Sequence, residues 1–271
     1  MSAVVVFIIF AICLVIAIPI SISLGIVAVL PGAFDASFTA SAGYVIRSMV
    51  GGIDSFPLLA VPMFVLAGIL MAHGKISEKL FDVFVYFLGN KRAGIPCAVI
   101  ITCLFYGAIS GSAPATVAAV GSMTIPLLIE LGYEKDFSTA IVAVAGGLGV
   151  IIPPSIPFIM YAMATGESVS ELFLAGIVPG MMISALLIFY AYYYCRRHGE
   201  DREKIQAKMD QLKAKGFFNI LKESIWALLS PVIVLGCIYS GVASPTEAAV
   251  ISVYDRQITD PVCQPVYLQI Y

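Results

Sequence analysis

Between Ala93 and Ile129 the chain runs for 37 residues without an Asp, Glu, Lys, Arg or His. A membrane-spanning helix needs about 20 apolar residues, so this run is too long for one span and holds no polar loop. Its middle reads Gly107-Ala108-Ile109-Ser110-Gly111-Ser112-Ala113-Pro114-Ala115-Thr116. Pro114 lacks a backbone donor and disfavours helical geometry at Ala113, while Gly107 and Gly111 permit non-helical torsions. The pattern predicts two half-helices meeting at a broken tip, a re-entrant hairpin; a tight Gly/Ser/Ala helix contact is the plainer alternative. Irregular backbone is tolerated at membrane depth only where it is buried in protein or lines a watery cavity.

A second charge-free run, Phe137–Gly166, is broken differently, at Ala145-Gly146-Gly147-Leu148-Gly149-Val150-Ile151-Ile152-Pro153-Pro154-Ser155-Ile156-Pro157. Helix is expected to about Gly146, an unwound stretch to Pro154, and helix again from about Ser155. A proline kink without a ligand is the alternative. In the unwound form the carbonyls of Gly147, Gly149 and Val150 are free to meet an ion. At the first break the hydroxyls of Ser110, Ser112 and Thr116 are hard oxygen ligands of the kind that suits Na⁺. The second half-helix, beginning near Pro114, presents N-terminal amides with partial positive charge, which suits an anion. Discontinuous helices in adjacent segments are how secondary transporters build ion and substrate sites.

The other charge-free runs are Ser2–Phe34, Ser55–Ala72, Leu172–Cys195 and Ser224–Thr246. With 60% hydrophobic and 12% charged residues and a mean hydropathy of +0.99, the chain lacks the roughly 25% charged residues of an ordinary soluble domain. The fold class is all-α integral membrane: a multi-span helical bundle with a re-entrant hairpin and a discontinuous helix. Ser2–Phe34 has no preceding Lys or Arg and exceeds the length of a cleavable signal core, so it is expected to be a retained first span. Asp35–Asp54 is mixed and reads as an interfacial or capping segment. In Lys75–Arg92 the residues Ile76, Leu80, Val83, Phe84 and Phe87 recur at three- and four-residue steps, predicting an amphipathic helix on the membrane surface. Arg196–Lys222 carries more than half of all basic residues and is expected to be a cytoplasmic helical loop by the positive-inside rule.

Several function classes fall away. A net charge of −2 offers no basic excess for nucleic acid. His73 and His198 lie far apart, and none of the six cysteines forms a Cys-x-x-Cys pair, so they read as small hydrophobes. No Ser/His/Asp set, phosphate loop or placed carboxylate pair suggests an enzyme, and no cofactor is expected.

Four runs resemble the large membrane subunit of the tripartite ATP-independent periplasmic (TRAP) transporters. They are Pro62-Met63-Phe64-Val65-Leu66-Ala67-Gly68, Gly107–Thr116, Gly147–Pro157 and Ser244-Pro245-Thr246-Glu247-Ala248-Ala249, with the Gly132-Tyr133 turn fitting as well. The resemblance covers about residues 1–253. It implies a multi-pass permease of the bacterial inner membrane that works with a small four-helix membrane subunit and a periplasmic substrate-binding protein. It further implies import of a carboxylate (a C4-dicarboxylate, sialic acid or keto acid) driven by Na⁺, with an elevator-type transport domain. Carried over, Ser110, Gly111, Ser112, Gly147, Val150 and Pro153 form a Na⁺ site, and Ala113, Pro114, Thr116 and Ser155 approach the substrate. The implied organisation is 1–92 scaffold-like spans with the surface helix, 93–166 half of the transport domain, and 167–253 further spans with the basic loop 196–222. Such subunits have two inverted halves. This chain changes character after the Ser244–Ala249 run, and the polar stretch 255–271 is expected to be a divergent end of a truncated or frameshifted form. Two other readings remain: a related Na⁺/carboxylate symporter that needs no binding protein, and a non-transporting membrane fragment.

Overall fold

The computed structural model describes residues 3–34, 42–74, 76–214 and 216–259. Among them there are thirteen α-helices and no strand. The chain divides into two compact units, Met1–Ser55 and Phe56–Tyr271.

In the first unit, helices α1 (Ala3–Val15), α2 (Ile20–Phe34) and α3 (Ala42–Ile53) pack in sequence. The expected single first span is two helices instead. Pro19 disfavours helical geometry at Ile18, and the chain turns one residue earlier, at Ala17, with φ +63°. The turn is a Schellman cap: Ala17 N–H donates to Leu14 O (3.0 Å) and Ile18 N–H to Cys13 O (3.0 Å). α3 occupies the mixed segment, of which residues 35–41 lie outside the described residues.

The second unit begins with a 3-10 turn, Phe56–Leu59, followed by α4 (Ala60–His73), α5 (Ile76–Leu88), α6 (Gly94–Ser110), α7 (Ala113–Glu130), α8 (Lys135–Gly146), α9 (Ile156–Thr165), α10 (Val169–His198), α11 (Arg202–Ala214), α12 (Phe217–Tyr239) and α13 (Pro245–Thr259). α7, α10 and α12 are long and apolar enough to cross a membrane. α10 leaves Val178, Leu186 and Phe189 at least 64% exposed, as expected of a side that faces hydrocarbon rather than water.

α5 is amphipathic as the periodicity predicts, but most of its apolar face is covered by protein, with Phe87 left exposed. Ile76, Leu80, Phe81, Val83 and Val85 are buried where α5 packs on α6 and α12. α5 and α6, on either side of position 92/93, are direct neighbours. The basic loop is ordered as α11, which lays Ile205, Met209 and Leu212 inward and packs on α5. α13 opens with a capping box: Ser244 N–H donates to Glu247 Oε2 (2.7 Å) and Glu247 N–H to Ser244 Oγ (3.3 Å). The helix continues to Thr259, so the first residues of the 255–271 stretch are helical. Residues 260–271, with Cys263, lie outside the described residues.

Candidate functional site

The hairpin forms where the sequence places it. α6 and α7 are joined by Gly111 and Ser112 alone and pack against each other. Their outer ends also meet, since one Glu200 oxygen is bonded both to Ala93 N–H, just before α6, and to Tyr133, just after α7. The arms are longer than half-helices. With 17 and 18 residues at about 1.5 Å each, they extend about 25–27 Å, close to the hydrocarbon thickness. Gly111 turns the chain at φ +61° with its N–H on Gly107 O (2.9 Å). That left-handed conformation is easy for glycine and costly for side-chain-bearing residues.

Ser112 is extended and caps α7, its Oγ accepting from Ala115 N–H (3.5 Å). Thr116 is fully buried. Its hydroxyl donates to Ser112 O (2.8 Å) and lies 3.0 Å from Ser110 Oγ, which is also buried. The three hydroxyl residues singled out at the first break therefore form one small network around the Ser112 carbonyl.

At the second break α8 ends at Gly146 as expected. Gly147–Val150 then tightens into a 3-10 turn rather than unwinding, and Ile151 and Ile152 N–H both close on Leu148 O (3.1 and 2.9 Å). Pro153 and Pro154 carry the chain through a cis peptide to Ser155, which caps α9 by accepting from Phe158 N–H (3.4 Å). The Ser155 hydroxyl also donates to Val150 O (2.6 Å). The Val150 carbonyl is thus bonded within the turn, although a carbonyl's second lone pair leaves it able to accept again.

The two breaks touch through their backbones. Ile156 N–H, at the start of α9, donates to Gly111 O (3.3 Å). A Cβ on Gly107 would lie 2.5 Å from Gly149 Cα, and one on Gly149 would lie 2.6 Å from Thr116 Oγ1 and 3.0 Å from Ser112 O. Of the ion-site candidates, Gly111 and Ser112 meet the second break directly, and Ser110 is linked to it through Thr116. A Cβ added to Gly147 would meet nothing within 4 Å, whereas one added to Gly149 meets the first break. Of the substrate candidates, Thr116 and Ser155 are buried and bonded to the chain's own carbonyls, Ala113 is half-buried and Pro114 is exposed.

Sequence reasoning missed the Gly107–Gly149 contact, which no local pattern encodes. It also missed a readable signal: Ser112-Ala113-Pro114 and Ser155-Ile156-Pro157 are the same Ser-x-Pro start. Both cap serines have nearly the same torsions, −139°/123° and −125°/123°. A serine cap followed by a first-turn proline is a strong helix N-terminus. Two such N-termini, with their partial positive charge, meet beside the C-terminal carbonyls of α6 and of the 3-10 turn.

Two neighbours complete the setting. Gly68 of the Pro62–Gly68 run accepts from the buried Tyr106 hydroxyl (3.2 Å) and faces Ser110, whose Cβ would lie 3.4 Å from a Cβ on Gly68. α10 backs the second break through Gly176 and Gly180, where added Cβ atoms would strike Phe158, Ile151 and Ile152. A cleft of about 420 Å³ opens on the first break, lined by Gly68, Tyr106, Ser110, Ser112, Ala115 and others. Among its described lining residues Glu78 carries the one charge.

The profile of the family described as "Tripartite ATP-independent periplasmic transporter, DctM component" matches residues 7–258. The chain is 43% identical over 245 residues to the isethionate TRAP transporter permease protein DctMQ of Oleidesulfovibrio alaskensis, covering 90% of this chain and 38% of that protein. It is 34% identical over 266 residues to the C4-dicarboxylate TRAP transporter large permease protein DctM of Rhodobacter capsulatus, covering 93% and 59%. It is 37% identical over 204 residues to the ectoine TRAP transporter large permease protein TeaC of Halomonas elongata, covering 75% and 46%. The chain spans between 38% and 59% of the length of these relatives. With its long apolar helices and these relatives, it is a multi-pass integral membrane protein that belongs to the DctM component family of the tripartite ATP-independent periplasmic transporters.

Proposed function

We propose that this chain supplies the ion-coupled half-site of a TRAP permease in the bacterial inner membrane. In this reading it imports a small organic acid in symport with Na⁺. The acid is received from a periplasmic binding protein, and a small four-helix membrane subunit completes the permease. The observation that carries the proposal is the hydrogen bond from Ile156 N–H to Gly111 O, which brings both broken helices to one point. Carbonyl ends and neutral hydroxyls there suit a monovalent hard cation, and the capped N-termini of α7 and α9 suit an anion. Ser110, Gly111, Ser112, Val150 and Pro153, with Gly147 at the edge, are the proposed Na⁺ surroundings. Ala113 and Pro114 offer the accessible approach for the acid, while Thr116 and Ser155 hold the caps in place. Relatives named for isethionate, a C4-dicarboxylate and ectoine support an acid-bearing substrate, with carboxylate the leading class.

The test is uptake by the assembled transporter in proteoliposomes with an imposed Na⁺ gradient. Ser112→Ala is expected to raise the Na⁺ concentration for half-maximal uptake several-fold. Unchanged Na⁺ activation in that variant would remove the hairpin from the ion site. Equal uptake with the binding protein omitted would instead favour a symporter that works without one.

A further inference from the structure

The hairpin is held at its far end by a group that no functional reading so far has used. Glu200 lies in the link between α10 and α11, and its side chain is only 2% exposed. Its Oε1 accepts from Ala93 N–H (3.0 Å) and from the Tyr133 hydroxyl (2.7 Å). Oε2 faces Arg202 Nη2 at 3.5 Å, and the Cys195 side chain on α10 also approaches the carboxylate. Arg202 in turn donates through Nη1 to Asn90 O (3.3 Å). Ala93 precedes the first arm of the hairpin and Tyr133 follows the second, so one carboxylate oxygen spans both feet.

A buried carboxylate is costly unless its donors are in place. Here they come from two turns that the sequence separates by 40 positions, Ala93 and Tyr133. Burial and the bond to Glu200 push the Tyr133 hydroxyl far above the ordinary tyrosine range, as expected for a hydroxyl buried against a carboxylate. A second tie lies alongside. Tyr194 donates to Glu134 Oε2 (2.7 Å) and stacks on Phe137 at 3.9 Å and on His198 at 4.1 Å. The end of α10 is thereby fixed to the start of α8. The broken tip at Gly111–Ser112 lies one arm away, about 25 Å along a 17-residue helix. A rigid helix carries a displacement of its foot to its tip, because packed helices shift as bodies rather than bend continuously.

We infer that Glu200 is a positioning residue: it sets the separation of the two hairpin feet and through them the geometry of the Gly111–Ser112 tip. The inference depends on the proposed ion site only for the consequence at the tip, and its test reads geometry separately from Na⁺. In the assembled transporter in membranes, Ala115→Cys, in the first turn of α7 and lining the cleft at the break, serves as the tip reporter. Its alkylation rate is followed by peptide mass spectrometry, so that the native cysteines do not interfere. Glu200→Ala is expected to raise that rate about tenfold, the equivalent of roughly one hydrogen bond to a charged group reaching the tip. Tyr133→Phe, which removes one donor and keeps the ring, raises it by a smaller factor. Hydrogen exchange over residues 91–94 rises with Glu200→Ala. Faster exchange at the feet with unchanged alkylation at the tip would overturn the inference and leave Glu200 a local staple. Where Glu200→Ala does not accumulate, Tyr133→Phe decides by the same two readings. Alkylation of the parent reporter that does not respond to Na⁺ would defeat the ion-site reading and leave the Glu200 result standing.

Discussion

The break in the hairpin spans two residues, Gly111 and Ser112, whereas the break between α8 and α9 takes nine, Gly147–Ser155. The first is closed by side chains: Ser110, Ser112 and Thr116 bond one another across a single turn. The second is closed mainly by backbone, through a 3-10 turn and the Leu148 carbonyl, with Ser155 as its one side-chain strut. The short break is cheap in entropy but depends on hydroxyls. The long break orders more residues and relies on Gly and Pro to restrict them. The two are complementary, since Gly149 of the long break leaves the space into which the Thr116 hydroxyl and the Ser112 carbonyl of the short break pack.

That contrast can be broken most sharply at the glycines. Gly107→Ala places a Cβ against Gly149 backbone and is expected to destabilise the fold by about 2–3 kcal/mol. Gly147→Ala meets nothing and should stay within about 0.5 kcal/mol. Thermal unfolding of the detergent-solubilised protein distinguishes them, and equal losses would mean that the breaks do not touch.

A smaller difference is expected between the cap serines. Ser155 is fully buried and makes two bonds, so Ser155→Ala should cost about 2 kcal/mol. Ser112 is half-buried and its cap bond is long, 3.5 Å, so Ser112→Ala should cost about 0.5–1 kcal/mol. If the order were reversed, the first break would bear the greater load. Thr116→Val, which removes the hydroxyl between Ser110 and Ser112, should fall between them at about 1–2 kcal/mol.

The smallest effect separates both breaks from the charged end of the molecule. Neither Ser110–Thr116 nor Gly147–Ser155 contains a titratable side chain, so no group within either break responds to mild acid. Asp201 differs. Lys204 N–H donates to its Oδ1 (3.3 Å) and holds its carboxyl below the ordinary aspartate value. A folded-state value lower than the unfolded one means that the cap's contribution is complete above the unfolded value and fades as pH falls through the folded one. Amide protection in the first turn of α11 is expected to drop below about pH 4, and Asp201→Asn should remove that pH dependence.

Much of this was legible along the chain. A charge-free run too long for one span forces a reversal, and Gly111 with Pro114 locates it to within a residue or two. The Gly147–Pro157 run likewise fixes where α8 stops and α9 starts, because Pro constrains its own torsions and those of the residue before it. The periodicity of 76–87 gave an amphipathic helix but not its cover, since an apolar face reads the same against lipid as against α6 and α12. The break near Pro19 went unread because Ser2–Phe34 is uniformly apolar and the turning residue is an alanine.

Sequence alone therefore determined that this chain belongs in a bilayer, that two of its helices are interrupted, and which residues interrupt them. These are consequences of local chemistry: missing donors, permitted torsions and unsolvated charge. Only the tertiary structure decided that the interruptions meet, that Gly149 rather than Gly147 is the contact, and that Glu200 ties the hairpin's feet. Each of those joins residues from 33 to more than 100 positions apart, and contacts at that separation leave no periodicity or composition by which they could be read.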